Sequence, residues 1–326
     1  MQYRQLGESG LRVSEISLGT WLTFGGQIDA DTAQQCVDTA FECGINLFDT
    51  ADVYRLGAAE ETLKKCLSRY SRDEYVLATK TFFPMAEHPN ARGLSRKHIM
   101  ESCEASLLRL GVDHIDLYQC HRFDETCPVE ETVRAMGDLI RQGKILYWGV
   151  SQWDGQQISE GCERAAHRNE DRPIASQNRY HLLDRGIEQS VIPSCRKHGL
   201  GLLVYSPLAQ GLLSGKYAKG RALPAARASQ AEEISKFIAP WFNNKDVSLC
   251  IERFVELANQ AGYTPAQLAL AWLLRCGEVS SVICGASHPA QITENTKALD
   301  VVWDEGLVSR VEEIFSDWEH LLEITF

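Results

Sequence analysis

Asp49, Tyr54, Lys80 and His121 are the side chains whose types could do chemistry together. They are a carboxylate, a phenol, an amine and an imidazole, each able to hold or move a proton. Each ends or follows a short apolar run. The stretch "LFDTADVYRLGAAEETL", residues 47–63, poses the question most sharply. An apolar pair runs into Asp49, and Tyr54 follows on the turn. Asp52 lies between them as a turn or cap residue, and Glu60 and Glu61 open a helix whose N-terminus favours acids. Taken singly, each of the four has an ordinary reading: a capping aspartate, a packed tyrosine, a solvated lysine, a structural histidine. Four such groups at equivalent levels of successive strands are harder to set aside.

The elements that must position them alternate regularly. Strands are expected at 15–20, 46–50, 75–80, 115–120, 145–151, 174–178, 202–206 and 281–284. Helices are expected at 32–43, 59–68, 97–110, 128–142, 156–168, 187–197, 245–261 and 291–299. Eight strands, each followed by a helix, fit an α/β chain whose parallel sheet closes into a (β/α)8 barrel. The working face of such a barrel is at the strand C-terminal ends. Asp31 is expected to cap the first helix, Ser95 the third, and Pro128 lies near the start of the fourth. Gly44, Gly111, Gly143 and Gly199 are expected to end helices. Three pieces lie outside the eightfold pattern: an N-terminal hairpin in "YRQLGESGLRVS", an extra helix at 264–275 and a tail helix at 307–319. The irregular stretch 207–241 is long enough to be expected to be functional or mobile. The chain reads as one domain, 1–326.

Bulk properties narrow the classes. A length of 326 residues is ordinary for one α/β barrel, and 44% hydrophobic with 24% charged residues suits a full core and a solvated surface. A net charge of -11 argues against nucleic acid as a partner and requires a locally positive pocket for any anionic ligand. The 11 cysteines are odd in number and form no Cys-x-x-Cys pair, which suits reduced, buried thiols. No apolar run approaches the ~18 residues of a membrane span, and the expected location is cytoplasmic.

Several chemistries fail on spacing. No Gly-x-Gly-x-x-Gly follows the first strand. "GLLSGKY" at 211–217 is one residue short of a Walker loop and ends in Tyr217. Asp49 lacks the second carboxylate of a retaining glycosidase. No metal constellation is visible, since His114 and His121 are not at helical ligand spacing.

The phrases "RQLGESGLRVSEISLGTWLTFGGQ", "NLFDTADVY", "LATK", "IDLYQCHR", "YWGVSQW", "QNRYHLL", "YSPLAQGLLSGKY" and "GASHPAQITEN" occur in that order along almost the whole chain. In this the sequence resembles the aldo-keto reductases, in the branch of voltage-gated potassium channel β subunits and their bacterial reductase relatives. The resemblance implies a barrel plugged by its hairpin and a catalytic tetrad of Asp49, Tyr54, Lys80 and His121. Hydride attack on a carbonyl carbon builds charge on the oxygen, which needs a donor. Tyr54 is the implied general acid, Lys80 lowers its pKa, Asp49 holds Lys80, and His121 orients the carbonyl.

The resemblance also implies NADPH as cofactor, with NADH open as an alternative. Thr20, Trp21, Gln27 and Asp49 line the approach to it. Ser151, Gln177 and Asn178 are implied for the carboxamide end, Gln152 as a further cofactor contact, and Tyr205 for stacking on the nicotinamide. Ser206, Pro207, Leu208, Gln210 and Lys216 are implied for the pyrophosphate, and Arg227 for the adenosine half. Gly285, Ser287, Gln291, Glu294 and Asn295 complete the adenosine contacts, near a helix start at Pro289. Many family members carry basic residues at the positions of Gly285 and Gln291. Neither is charged here, so selectivity for NADPH over NADH is expected to be modest. Some channel subunits lack the histidine that this chain keeps at position 121. The substrate is expected to be an aldehyde or some ketones, met by Trp21, Tyr54, Phe82, Phe83, His121 and Trp153, with Trp241 as a further candidate. The alternative is a cofactor-sensing regulatory subunit docked on a channel or other partner, and a homo-oligomer is open in either case. A barrel hydrolase, which would bind no nicotinamide nucleotide, is the third reading.

Overall fold

The computed structural model describes residues 1–216, 241, 244–317 and 319. Two antiparallel strands open the chain, β1 (Tyr3–Gln5) and β2 (Arg12–Ser14). Eight more follow: β3 (Ile16–Gly19), β4 (Leu47–Asp49), β5 (Val76–Thr81), β6 (Ile115–Cys120), β7 (Ile145–Ser151), β8 (Ala175–Arg179), β9 (Gly201–Tyr205) and β10 (Val279–Gly285). They close into a barrel in the order β10-β3-β4-β5-β6-β7-β8-β9. Every residue of β5 and β6 is buried, as expected of parallel strands covered on both faces. The expected hairpin and all eight expected strands are present.

Helices α1 (Ala30–Glu42), α2 (Ala58–Leu67), α3 (Arg96–Leu110), α4 (Val129–Arg141), α5 (Gly155–Arg168) and α6 (Val191–His198) fill the six connections between successive barrel strands from β3 to β9. Four more complete the described set: α7 (Lys245–Gln260), α8 (Pro265–Leu274), α9 (Pro289–Thr296) and α10 (Glu305–Ile314). Most boundaries differ from expectation by a few residues, the tail helix ending at Ile314 rather than 319, and two differences have a clear local cause. Asp29, not Asp31, caps α1: it is extended, and its carboxylate accepts the Thr32 amide at 2.7 Å. Asp31 falls in the first turn. The sixth helix begins at Val191 rather than 187, because a separate 3-10 turn occupies Gly186–Glu188.

The chain forms two compact units. One contains residues 1–178, 187–205 and 277–293, and the other residues 179–186, 206–276 and 294–326. In the first unit the hairpin side chains Leu6 and Val13 share a buried cluster with Leu47, Val76, Leu117, Ala175, Leu203 and Ile283. The hairpin is tied down at several points. Arg4 donates to Glu15 at 2.7 Å and to the Val279 carbonyl at 2.8 Å, and Ser280 donates to the Gln5 carbonyl at 2.9 Å. Buried ionic contacts join the helices to the sheet. The fully buried Glu60 of α2 accepts from Thr79 of β5 and from Arg109 of α3, both at 2.6 Å. Its role is thus larger than complementing a helix dipole.

In the second unit, Thr264 and Gln267 form a capping box that starts α8, with Pro265 in the first turn. Nearly every residue of α8 is buried, as its all-round apolar sequence requires. Trp272 donates to Glu312 at 2.9 Å, and Arg185 lies 5.0 Å from the Trp272 ring centroid. Phe254 and Phe315 meet edge to face at 5.4 Å. Among the described residues no helix is long and apolar enough to cross a membrane.

Candidate active site

The strand ladder of the first unit continues one step past the strand ends and pins the turns that follow. Thr20 donates its amide to the Asp49 carbonyl at 2.9 Å, Asp52 to Lys80 at 3.2 Å, His121 to Thr81 at 2.9 Å and Gln152 to Gln177 at 3.0 Å. Each turn is therefore fixed by its neighbouring strand. Tyr54 sits on a 3-10 turn (Tyr54–Gly57) in which Arg55 and Leu56 adopt φ of 52° and 51°. Such values strain a bulky residue. Leu22, Gln152, Ser206, Ala209 and Gln210 share the left-handed region, and all lie in loops that follow strands β3, β7 and β9. Asn169, at the end of α5, is the one other such residue among those described. Backbone strain of this kind often accompanies functional loops.

Lys80 is the hub. Its side chain is completely buried, and Nζ donates to Asp49 Oδ2 at 2.7 Å, to the Thr50 carbonyl at 2.7 Å and to the Tyr54 hydroxyl at 3.3 Å. Three acceptors for three ammonium protons make its burial tolerable. Asp49 Oδ1 in turn accepts from Gln177 Nε2 at 2.8 Å. The His121 ring meets Tyr54 edge to face at 5.8 Å and Phe83 at 4.9 Å. The four residues expected to act together are thus assembled within one unit.

Their protonation follows from burial. Desolvation lowers the Lys80 pKa from 10.5, opposed by Asp49. Burial, then Lys80 and Arg122, push His121 well below 6.5, so its imidazole is neutral at physiological pH. Its Nδ1 has no hydrogen-bond partner among the described residues. Tyr54 departs from expectation. Burial, with Asp49 next, raises its phenol well above 10, and Arg122 is the cation that opposes the rise. The expected lowering by Lys80 is outweighed by burial and by the Asp49 carboxylate beside it.

The carboxamide candidates are also in this unit. Ser151 of β7 is in register with Gln177 of β8. Gln177 spends its N–H on Asp49, leaving its carbonyl oxygen to accept. A serine hydroxyl that donates beside an amide oxygen that accepts is the complement of a primary carboxamide. Asn178 reaches Gln152 at 3.4 Å and accepts from Ser176 at 2.6 Å. Ser287 donates its amide to Gln291 Oε1 at 2.7 Å. Gly285 is exposed, with ordinary room for a Cβ. Trp21 is exposed, Gln27 and Tyr205 are half-buried, and Thr20 is buried.

Phe82 and Phe83 meet edge to face at 5.3 Å. Trp153 is buried, stacked edge-on against Phe123 at 5.0 Å. In the second unit, Ser206 bonds Gln210 at 2.9 Å, Pro207 is buried, Leu208 half-buried and Lys216 exposed. Glu294 accepts from Gln267 at 2.7 Å and Lys297 at 3.1 Å, and Asn295 is buried. Trp241 is buried and meets His181 edge to face at 5.1 Å. Arg227 lies outside the described residues, as do residues 217–240 of the long irregular stretch.

Two contributors were missed in sequence. Thr50 serves through its backbone carbonyl, which no side-chain pattern signals. Arg122 follows His121 directly in "CHRFD", where its charge beside a strand end was the available clue. A cleft of about 340 Å³ in the same unit, lined by Glu8, Tyr147, Trp148, Pro173 and His198 among others, contains none of the four assembled residues. Among the described residues no cluster of three or more His, Cys, Asp or Glu could hold a metal.

The profile of the aldo/keto reductase family matches residues 15–315. A probable voltage-gated potassium channel subunit beta of Oryza sativa subsp. japonica is 43% identical over 305 residues, covering 93% of this chain and 92% of that protein. One so described from Arabidopsis thaliana is 42% identical over 305 residues, with the coverage again 93% and 92%. A putative voltage-gated potassium channel subunit beta of Schizosaccharomyces pombe is 39% identical over 325 residues, covering 96% of this chain and 93% of that protein.

Proposed function

Because the chain belongs to the aldo/keto reductase family, we propose that it reduces aldehydes and some ketones with a nicotinamide cofactor, NADPH in preference to NADH. The observation that carries this reading is the Lys80 ammonium held between Asp49 and the Tyr54 hydroxyl. Tyr54 is the general acid. Burial keeps its proton in place until negative charge develops on the carbonyl oxygen. Once that proton moves to the oxygen, the phenolate left behind accepts from Lys80 across the existing 3.3 Å contact. Asp49 and Thr50 hold Lys80 where it can do so. His121, neutral, donates a ring N–H to the carbonyl oxygen and fixes its direction.

When bound, the reduced cofactor supplies the hydride. Ser151 and the free oxygen of Gln177 suit its carboxamide, and Tyr205 its ring. Ser206, Pro207, Leu208, Gln210 and Lys216 are proposed for the pyrophosphate, with Gly285, Ser287, Gln291, Glu294, Asn295 and Arg227 for the adenosine half. Eleven free thiols favour a reducing, cytoplasmic setting.

A second reading is a cofactor-sensing regulatory subunit with slow turnover, and the names of the relatives, voltage-gated potassium channel subunits beta, favour a channel as its partner. One experiment separates the two: NADPH oxidation against an aldehyde panel, with fluorescence titration of NADPH and NADH alongside. The reductase reading expects multiple turnovers, tighter NADPH binding, and loss of nearly all turnover in Tyr54→Phe with cofactor affinity retained. Turnover in that variant within a few-fold of wild type would remove Tyr54 as the acid. Equal affinities would remove the NADPH preference. Slow turnover limited by cofactor release would favour the regulatory reading.

A further inference from the structure

Arg122 follows His121 and is half-buried. Its Nη1 donates to the His121 carbonyl at 2.6 Å, and its guanidinium lies 5.3 Å from the Phe83 ring centroid. The same Phe83 ring lies 4.9 Å from the His121 imidazole. Among the described residues no carboxylate pairs with Arg122, although most of the described arginines have one. Arg109, Arg72, Arg185 and Arg179, for example, meet Glu60, Asp116, Glu312 and Asp184 at 2.5–2.6 Å. A half-buried guanidinium with no protein counter-ion keeps its charge available to an anionic ligand. Arg122 is also close enough to act on Tyr54, Lys80 and His121.

We propose that Arg122 is a substrate-recognition residue, and that the preferred carbonyl substrates carry an anionic group, carboxylate or phosphate, near the reacting carbonyl. The inference rests on the reductase reading and names the substrate class for that site. Lys80 cannot fill this role, since its three protons are taken by Asp49, Thr50 and Tyr54. Arg122 spends one of five N–H groups on His121 and keeps a planar edge for a bidentate acceptor. The face of Phe83 orients that plane. With a net charge of -11, the protein repels anions at long range, so an anionic substrate requires a local cation of this kind. The aromatic pair Phe82 and Phe83 suits the carbons that link the two ends of the substrate.

The test compares matched pairs: butanal with 4-oxobutanoate, and glyceraldehyde with glyceraldehyde 3-phosphate. A charge-assisted contact predicts that wild-type kcat/KM favours an anionic member by about tenfold or more, chiefly through KM. The pair that shows the larger preference identifies carboxylate or phosphate as the group. In Arg122→Gln that ratio falls by about tenfold, and Arg122→Lys recovers part of it. A wild-type ratio near one in both pairs, or a ratio unchanged in Arg122→Gln, overturns the proposal. If no aldehyde turns over, the reductase reading fails, and calorimetric binding of the same pairs judges Arg122 separately. Tighter binding of an anionic member then supports the recognition role, and equal binding overturns it.

Discussion

Asp52 is two residues from the proposed acid and completely buried. One carboxylate oxygen accepts its neighbour's amide, Val53, at 2.6 Å, and the other accepts the Ser102 hydroxyl of α3 at 2.8 Å. Two hydrogen bonds do not compensate its desolvation. Burial, with Glu60 adding to it, raises its pKa from 3.8 to about 7. A folded-state pKa above the unfolded one means that the native chain binds the extra proton between those values. Stability from this group is full below about 3.8 and is lost as pH rises towards 7. Asp52→Asn removes the titration. The amide can accept from Val53 while Ser102 rotates its hydroxyl to accept in turn. The variant should match wild type near pH 4 and gain stability with rising pH, by an amount on the order of 4 kcal/mol at pH 8. Urea unfolding across that range checks it, and an advantage that stays constant or shrinks with pH would show that Asp52 does not titrate in this window.

The hairpin is the element whose fit is tightest. Gly7 has φ 61°, and a Cβ there would collide with the Gly199 carbonyl and the Gly201 amide. The amide after it, Glu8, donates to that same Gly199 carbonyl at 2.9 Å. Gly7→Ala should therefore cost both left-handed strain and this seam, roughly 2–4 kcal/mol, and lower Tm by several degrees. An unchanged Tm would mean that the hairpin does not contribute to the barrel's stability. Elements of this kind were legible in sequence to different degrees. Strands β6 and β7 could be bounded to the residue, because apolar runs end at Gly or polar turns. Boundaries slipped where two local signals competed, as with Asp29 and Asp31, which differ only in which carboxylate reaches Thr32. The four proton-handling residues were legible because their types recur at successive strand ends. Contacts made by backbone, such as Thr50 to Lys80, or by partners far apart in sequence, such as Glu60 to Arg109, leave no local pattern to read. Neither did the rise of the Tyr54 pKa, which depends on how completely the folded chain excludes water.

At the scale of the whole molecule, buried titratable groups decide how the protein meets acid. His98, His121 and His181 are all buried and all lowered by desolvation, His181 to about 3. Below 6.5 the unfolded chain takes up protons at these three positions that the native chain refuses. The unfolded state then binds more protons, so stability rises with pH through this window and is lost as pH falls. Asp52 works in the opposite sense over part of the same range, since its proton belongs to the native state. His121 and His181 alone outweigh one aspartic acid, leaving an excess of about one proton, or roughly 1.4 kcal/mol per pH unit near pH 5, to which the lowering of His98 adds. The carboxylates held below their ordinary values, such as Asp124 and Glu312, add to acid lability only at lower pH. Urea unfolding free energies between pH 5 and 6.5 should thus climb steeply. Asp52→Asn should steepen the climb by about one proton, because it removes the opposing group. A flat or falling profile in wild type would mean that the histidines gain water or partners in solution. A slope unchanged by Asp52→Asn would confine the acid response to the histidines.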